Sequence, residues 1–137
     1  MTPTRTEKIF PARPASLPSL VAFLAEHAAA AGVPRDKELR LHVAVEEALI
    51  NVCNHAYQGQ PGEVRVGFRE TPRTCEVELE YGGPAFDPLA QPRPDVHRSL
   101  DQRQPGGLGL LLIREFVDDA RYARVGERNL LTLIVEK

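Results

Sequence analysis

Apolar and polar positions alternate along this chain with two different periods. Val64, Val66 and Phe68 recur every second residue between charged neighbours, and Cys75, Val77, Leu79 and Tyr81 do the same. A period of two marks half-buried strands, and Thr71-Pro72-Arg73 between the runs turns the chain, so the two should pair antiparallel. Leu20, Val21, Leu24, His27 and Ala28 recur instead at helical spacing. Ser16 is suited to cap this helix, Pro18 to occupy its first turn and Gly32 to close it, with Pro34 opposing continuation. A second helix begins at Asp36 and runs to about Tyr57, before the turn Gly59-Gln60-Pro61-Gly62. Residues 5–12 read as a short edge strand ended by Pro11. Residues 82–105 show no period. A third helix starts near Gly107 and ends near Asp119, and residues 120–125 and 129–136 form a last hairpin around Gly126-Glu127-Arg128. The order β-α-α-β-β-loop-α-β-β predicts an α+β fold. It would be a two-layer sandwich of a mixed, mainly antiparallel sheet with helices on one face.

Composition bounds the function classes. At 137 residues the chain fits a single domain, 1–137. The net charge of −2 supplies no basic excess for tracking phosphates, so direct nucleic-acid binding is not expected. With no Trp and 6% aromatic residues, a base-stacking platform is not expected either. The polar N-terminus does not read as a signal peptide, and no apolar run approaches the ~18 residues of a membrane span. Two cysteines, Cys53 and Cys75, make neither a disulfide framework nor a zinc site and suit a reducing compartment. A cytoplasmic protein is expected. Proline is the outlier: 12 residues, five of them (Pro84, Pro88, Pro92, Pro94, Pro105) between positions 84 and 105. That stretch is kept out of regular structure.

The second helix carries the most informative polar pattern. On a helical wheel Leu41, Ala44, Val45, Ala48, Leu49 and Val52 span about −60° to +80°, and Leu39, Val43 and Ile50 form a second apolar face near 160–200°. Between them lie Glu47, Asn51 and Asn54. Glu47 and Asn51 are i,i+4 neighbours and can converge on one point. Such a stripe could line a cleft, bind a metal, be satisfied by backbone groups, or be simply solvated.

Two glycine-containing segments add to this. Gly106-Gly107-Leu108-Gly109-Leu110 opens the third helix, where exposed N–H groups favour an anion such as phosphate, although taken alone the segment is weak evidence and reads first as a plain loop-to-helix turn. It is neither a dinucleotide fingerprint nor a P-loop. Tyr81-Gly82-Gly83-Pro84-Ala85-Phe86-Asp87-Pro88 ends the second central strand in a tight turn.

Taken together, Glu47-Ala48-Leu49-Ile50-Asn51, Gly83-Pro84-Ala85-Phe86-Asp87-Pro88 and Gly106-Gly107-Leu108-Gly109-Leu110 resemble the N, G1 and G2 boxes of the Bergerat-fold (GHKL) ATPases. The flanks Asn54-His55-Ala56-Tyr57, Ile113-Arg114-Glu115-Phe116-Val117-Asp118-Asp119 and Asn129-Leu130-Leu131-Thr132-Leu133 look like the RsbW-type anti-sigma factor kinases. The resemblance covers residues 10–136. No dimerisation-and-phosphoacceptor helical pair stands ahead of the domain in this chain, so a histidine kinase is not expected.

The resemblance implies a Ser/Thr protein kinase that binds ATP and Mg²⁺. It would phosphorylate a STAS-type anti-sigma factor antagonist and bind a sigma factor, and related proteins are often homodimers. Glu47 would be the general base and Asn51 the Mg²⁺ ligand. Tyr81, Gly83, Ala85 and Thr132 would lie at the nucleotide base; Gly106, Gly107, Leu108 and Gly109 would cradle phosphate; residues 88–105 would form a lid. One position departs from the pattern: Tyr81 stands where the G1 box has its adenine-binding Asp. The alternative is a binding module on the same fold that sequesters its partner with weak or no ATP use. His55 reads as packing near the helix end, and His27 and His42 as surface residues.

Overall fold

The computed structural model describes residues 5–90 and 109–137. Strand β1 (Arg5–Pro11) leads through a short 3-10 turn (Pro14–Ser16) into helix α1 (Leu17–Ala30). Helix α2 (Arg35–Asn51) continues into a π-helical turn (Val52–Ala56). Strands β2 (Glu63–Glu70) and β3 (Thr74–Tyr81) follow. A 3-10 turn (Pro88–Ala90), helix α3 (Gly109–Phe116) and strands β4 (Asp119–Val125) and β5 (Arg128–Glu136) complete the order. The α+β two-layer class read from the sequence holds. Among the described residues the sheet order is β1-β2-β3-β5-β4 and all four pairings are antiparallel, which narrows the mixed, mainly antiparallel expectation.

Local chemistry accounts for the end of α1 and suits the start of α2. α1 closes in a Schellman arrangement: Val33 N–H donates to Ala28 O and Gly32 N–H to Ala29 O, with Gly32 at φ +72°. Ser16 does not cap this helix. Its backbone is already helical (φ −78°, ψ −13°), whereas an N-cap needs an extended residue, and its hydroxyl donates to Pro11 O at 2.7 Å instead. Asp36 and Glu38 sit in the first turn of α2, where the helix dipole favours acids.

The helices cover one face of the sheet. That face carries Val64, Val66 and Phe68, then Cys75, Val77, Leu79 and Tyr81, then Leu131, Leu133 and Val135, all buried. Leu20 and Leu24 of α1 and Leu41, Val45 and Leu49 of α2 complete the core. Each fully buried Leu contributes about 1.5–3 kcal/mol, so this one cluster dominates stability. His27 is not a free surface residue. Its ring packs edge-on to Phe23 with centroids 4.6 Å apart. His42 is half-buried, with Nε2 enclosed and unpartnered, and burial pushes its pKa down. Cys53 and Cys75 are free and buried, and burial pushes the Cys75 thiol up to about 12, so it stays protonated and inert. Among the described residues no helix is long and apolar enough to cross a membrane.

One row of residues runs across the sheet at the end from which the turn after β3 departs. In it Phe10 lies opposite Val64, Val64 opposite Tyr81, Tyr81 opposite Asn129 and Asn129 opposite Arg124.

Candidate active site

α2 presents Glu47 and Asn51 one turn apart. Asn51 is buried, and its Nδ2 donates to Glu47 O at 2.8 Å. The amide nitrogen is thus engaged by the helix itself, and Oδ1 is the atom left for a ligand. Glu47 is half-buried. Burial first, and the neighbouring Glu46 second, push its carboxyl above the ordinary glutamate value. A carboxylate raised toward neutrality is a better proton acceptor than a fully solvated one. Asn54, the third member of the stripe, is exposed. The second apolar face is only partly covered: Val43 and Ile50 are half-buried and Leu39 is 47% exposed.

Immediately after Asn51 the helix widens into its π turn, where Tyr57 N–H reaches back five residues to Val52 O at 3.0 Å. Single π turns are frequent at functional sites. Here the turn carries three contacts to the segment after β3. Gly83 packs on Ala56, the His55 ring stacks on Phe86 with centroids 5.3 Å apart, and Tyr57 Oη accepts the Gly82 N–H at 2.7 Å. Tyr57 Oη also donates to Glu63 O at 2.6 Å, tying the helix end to the start of β2. His55 therefore packs near the helix end, as its sequence suggests.

The sheet holds the same segment from the other side. Tyr81 is fully buried, and its hydroxyl donates to Phe86 O at 2.7 Å. Burial pushes the phenol pKa well above its ordinary value, so it remains a donor. Asn129, also fully buried, accepts the Phe86 N–H at 3.0 Å and donates to Gly82 O at 3.0 Å. Arg124 Nη1 donates to Gly83 O at 3.0 Å. Asp87 Oδ1 accepts the Leu89 N–H at 2.8 Å and opens the Pro88–Ala90 turn, and Arg114 of α3 donates to Leu89 O.

The structure brings some of the expected residues together and separates others. Tyr81, Gly83 and the exposed Ala85 share one turn, seated on the end of the helix that bears Glu47 and Asn51. Gly109 begins α3, which packs beside α2. Gly106, Gly107 and Leu108 lie outside the described residues, as do residues 91–105 of the segment read as a lid. Thr132 does not join the group. It lies opposite Glu78, whereas Asn129, Leu131 and Leu133 pair with the inward-facing Tyr81, Leu79 and Val77. Side chains alternate across a strand, so Thr132 belongs to the outer face of the sheet, away from α2. Glu80, the acid nearest Tyr81, is on that outer face too and is bonded to Arg128 Nε at 3.2 Å. No bulge interrupts the register to bring it inward.

Sequence reasoning overlooked the parts played by Asn129 and by Tyr122, whose hydroxyl donates to Asn129 Oδ1. The signal was present, because Asn129 breaks the inward apolar series Leu131, Leu133, Val135 with an amide. Tyr81→Phe keeps the ring but leaves Phe86 O without its donor, a loss of about 1–2 kcal/mol. Urea denaturation should show that decrease, and an unchanged midpoint would mean that water replaces the phenol at no cost.

Residues 10–135 match the family described as "Histidine kinase-like ATPase domain". The serine/threonine-protein kinase BtrW of Bordetella bronchiseptica is 38% identical over 94 residues, 68% of this chain and 66% of that protein. The serine-protein kinase RsbW of Oceanobacillus iheyensis is 34% identical over 86 residues, 59% of this chain and 54% of the relative. RsbW of Bacillus subtilis is 32% identical over 117 residues, 81% of this chain and 72% of the relative. The chain thus spans between half and two thirds of the first two relatives' length.

Proposed function

We propose, for a chain that belongs to the histidine kinase-like ATPase family in its RsbW-type branch, an anti-sigma factor serine/threonine-protein kinase. It uses ATP to phosphorylate a STAS-type anti-sigma factor antagonist, with a sigma factor as its second partner, and works in the cytoplasm. The observation that carries the reading is the pair on α2. A half-buried carboxylate with a raised pKa stands one turn before a buried amide whose nitrogen is tied to Glu47 O. The RsbW and BtrW names of the relatives support the same reading.

In this mechanism Glu47 accepts the proton of a partner Ser or Thr hydroxyl as that oxygen bonds to the γ-phosphorus of ATP. The bond between the γ-phosphorus and the β,γ-bridging oxygen breaks, and ADP leaves. Asn51 Oδ1 suits Mg²⁺, which commonly takes only one or two protein oxygens and completes its shell with phosphates and water. When bound, the ion neutralises charge on the phosphates. The turn carrying Tyr81, Gly83 and Ala85 receives the nucleotide base. Gly106, Gly107, Leu108 and Gly109 supply the backbone near the phosphates.

The test is transfer of labelled phosphate from ATP–Mg²⁺ to a STAS-domain protein. Because Glu47 must be ionised to accept a proton, the rate should fall on acidification along a limb lying above the ordinary glutamate pKa of about 4.3. A limb at or below that value would remove Glu47 as the base.

One observation favours the alternative, a binding module with weak or no ATP use. The side chain at the expected adenine-binding position is a buried phenol engaged with Phe86 O, and neither Glu80 nor Thr132 faces inward to replace a carboxylate. Isothermal calorimetry separates the two. Heat on adding ATP–Mg²⁺ supports the kinase, and its absence at millimolar nucleotide supports the module.

A further inference from the structure

Among the described residues, the Asn129 side chain makes every one of its hydrogen bonds to residues 81–86 or to Tyr122. Nδ2 donates to Gly82 O at 3.0 Å, Pro84 O at 3.2 Å and Tyr81 O at 3.3 Å. Oδ1 accepts the Phe86 N–H at 3.0 Å and the Tyr122 hydroxyl. A primary amide offers two N–H donors, here shared among three carbonyls, and one oxygen with two lone pairs, so this side chain has no capacity left for a ligand. It is also fully buried. The three carbonyls and one N–H it satisfies all belong to residues 81–86, and they define the shape of that stretch. On the helix side the stretch is met by Tyr57 through the Gly82 N–H.

We propose that Asn129 is a positioning residue for nucleotide binding. It preorganises the turn at 82–86 from the sheet side, with Tyr122 orienting its amide, and never touches the nucleotide itself. What the turn receives rests on the kinase reading; the holding of the turn stands on the hydrogen bonds alone. A turn already ordered before the ligand arrives does not have to be ordered at its expense, so the effect belongs in affinity rather than in the chemical step. Glu47 lies on α2, outside the network.

Two measurements on the full chain test this. In Asn129→Ala, KM for ATP should rise about tenfold or more while kcat stays within about threefold. Tyr122→Phe, which keeps its ring and removes one hydrogen bond, should raise KM by a smaller factor and keeps the test valid if the first variant does not fold. Hydrogen exchange without nucleotide is the second readout. The Phe86 amide should be protected in the natural chain and exchange at least about tenfold faster in Asn129→Ala or Tyr122→Phe. The Gly82 amide, held by Tyr57, should change less. A fall in kcat at unchanged KM, or a Phe86 amide that exchanges freely in the natural chain, would overturn the proposal. If the natural chain transfers no phosphate, the kinase reading fails, and amide exchange alone then decides whether Asn129 holds the turn.

Discussion

Glu47→Gln is expected to lower phosphotransfer to the partner by about 10²–10⁴-fold, the range associated with a positioned general base. Gln keeps the size and hydrogen-bonding shape of the side chain but cannot accept the proton. Nucleotide affinity should stay within about threefold, because the lost function operates in the transition state and not in ground-state binding. The variant should also be at least as stable as the natural protein at neutral pH. The Glu47 carboxyl has a raised pKa in the folded state, so its ionisation disfavours folding. Stability tied to this group is fully present below the unfolded pKa and is lost as pH rises through the folded one. The advantage of Gln should therefore appear near neutrality and vanish on acidification. Retained transfer by Glu47→Gln would rule out the proton-acceptor role, and calorimetry with ATP would show whether nucleotide binding had also changed.

Gly83→Ala should be the most damaging conservative change in the turn. Gly83 has φ +79°, and a Cβ built there would lie 2.6 Å from Ala56 O, a backbone atom that cannot rotate away. Gly32 supplies an internal control: it has φ +72°, yet nothing lies within 4 Å of the Cβ it would acquire. Gly32→Ala should thus cost only the left-handed backbone strain, about 1–2 kcal/mol. Gly83→Ala should cost about 2–4 kcal/mol, on the order of 10 °C in Tm, because the turn must also lift from the end of α2. Thermal unfolding of both variants measures the difference. If Gly83→Ala proves no worse than Gly32→Ala, the turn is not pressed on α2 as described.

Much of the frame was legible in the residues. The alternating runs before and after Thr71-Pro72-Arg73 became β2 and β3 with the expected inward residues, because a period of two leaves a half-buried strand little choice of face. Gly32 ended α1 as its backbone freedom suggested. Ser16 misled, since an isolated capping residue does not reveal that the preceding Pro14-Ala15 already winds the backbone. Thr132 misled for a different reason. The resemblance matched it by residue type, whereas the register of β5 against β3 decides which face a side chain occupies, and a shift of one residue reverses it.

The amino-acid order by itself determined the elements, the inward face of each strand and the i,i+4 relation of Glu47 to Asn51, because each follows from periodicity and steric limits acting over a few residues. Only the tertiary structure decided what surrounds Tyr81. Its hydroxyl is held by Phe86 O, Asn129 faces it across the sheet, and Gly83 rests on the π turn of α2. Tyr81 is 5 positions from Phe86 and 48 from Asn129, and Gly83 is 27 from Ala56, so no local rule links the longer pairs. Strand register and the seating of helix on sheet bring them together, since that packing buries the apolar faces and leaves the buried amide and phenol with a single set of partners.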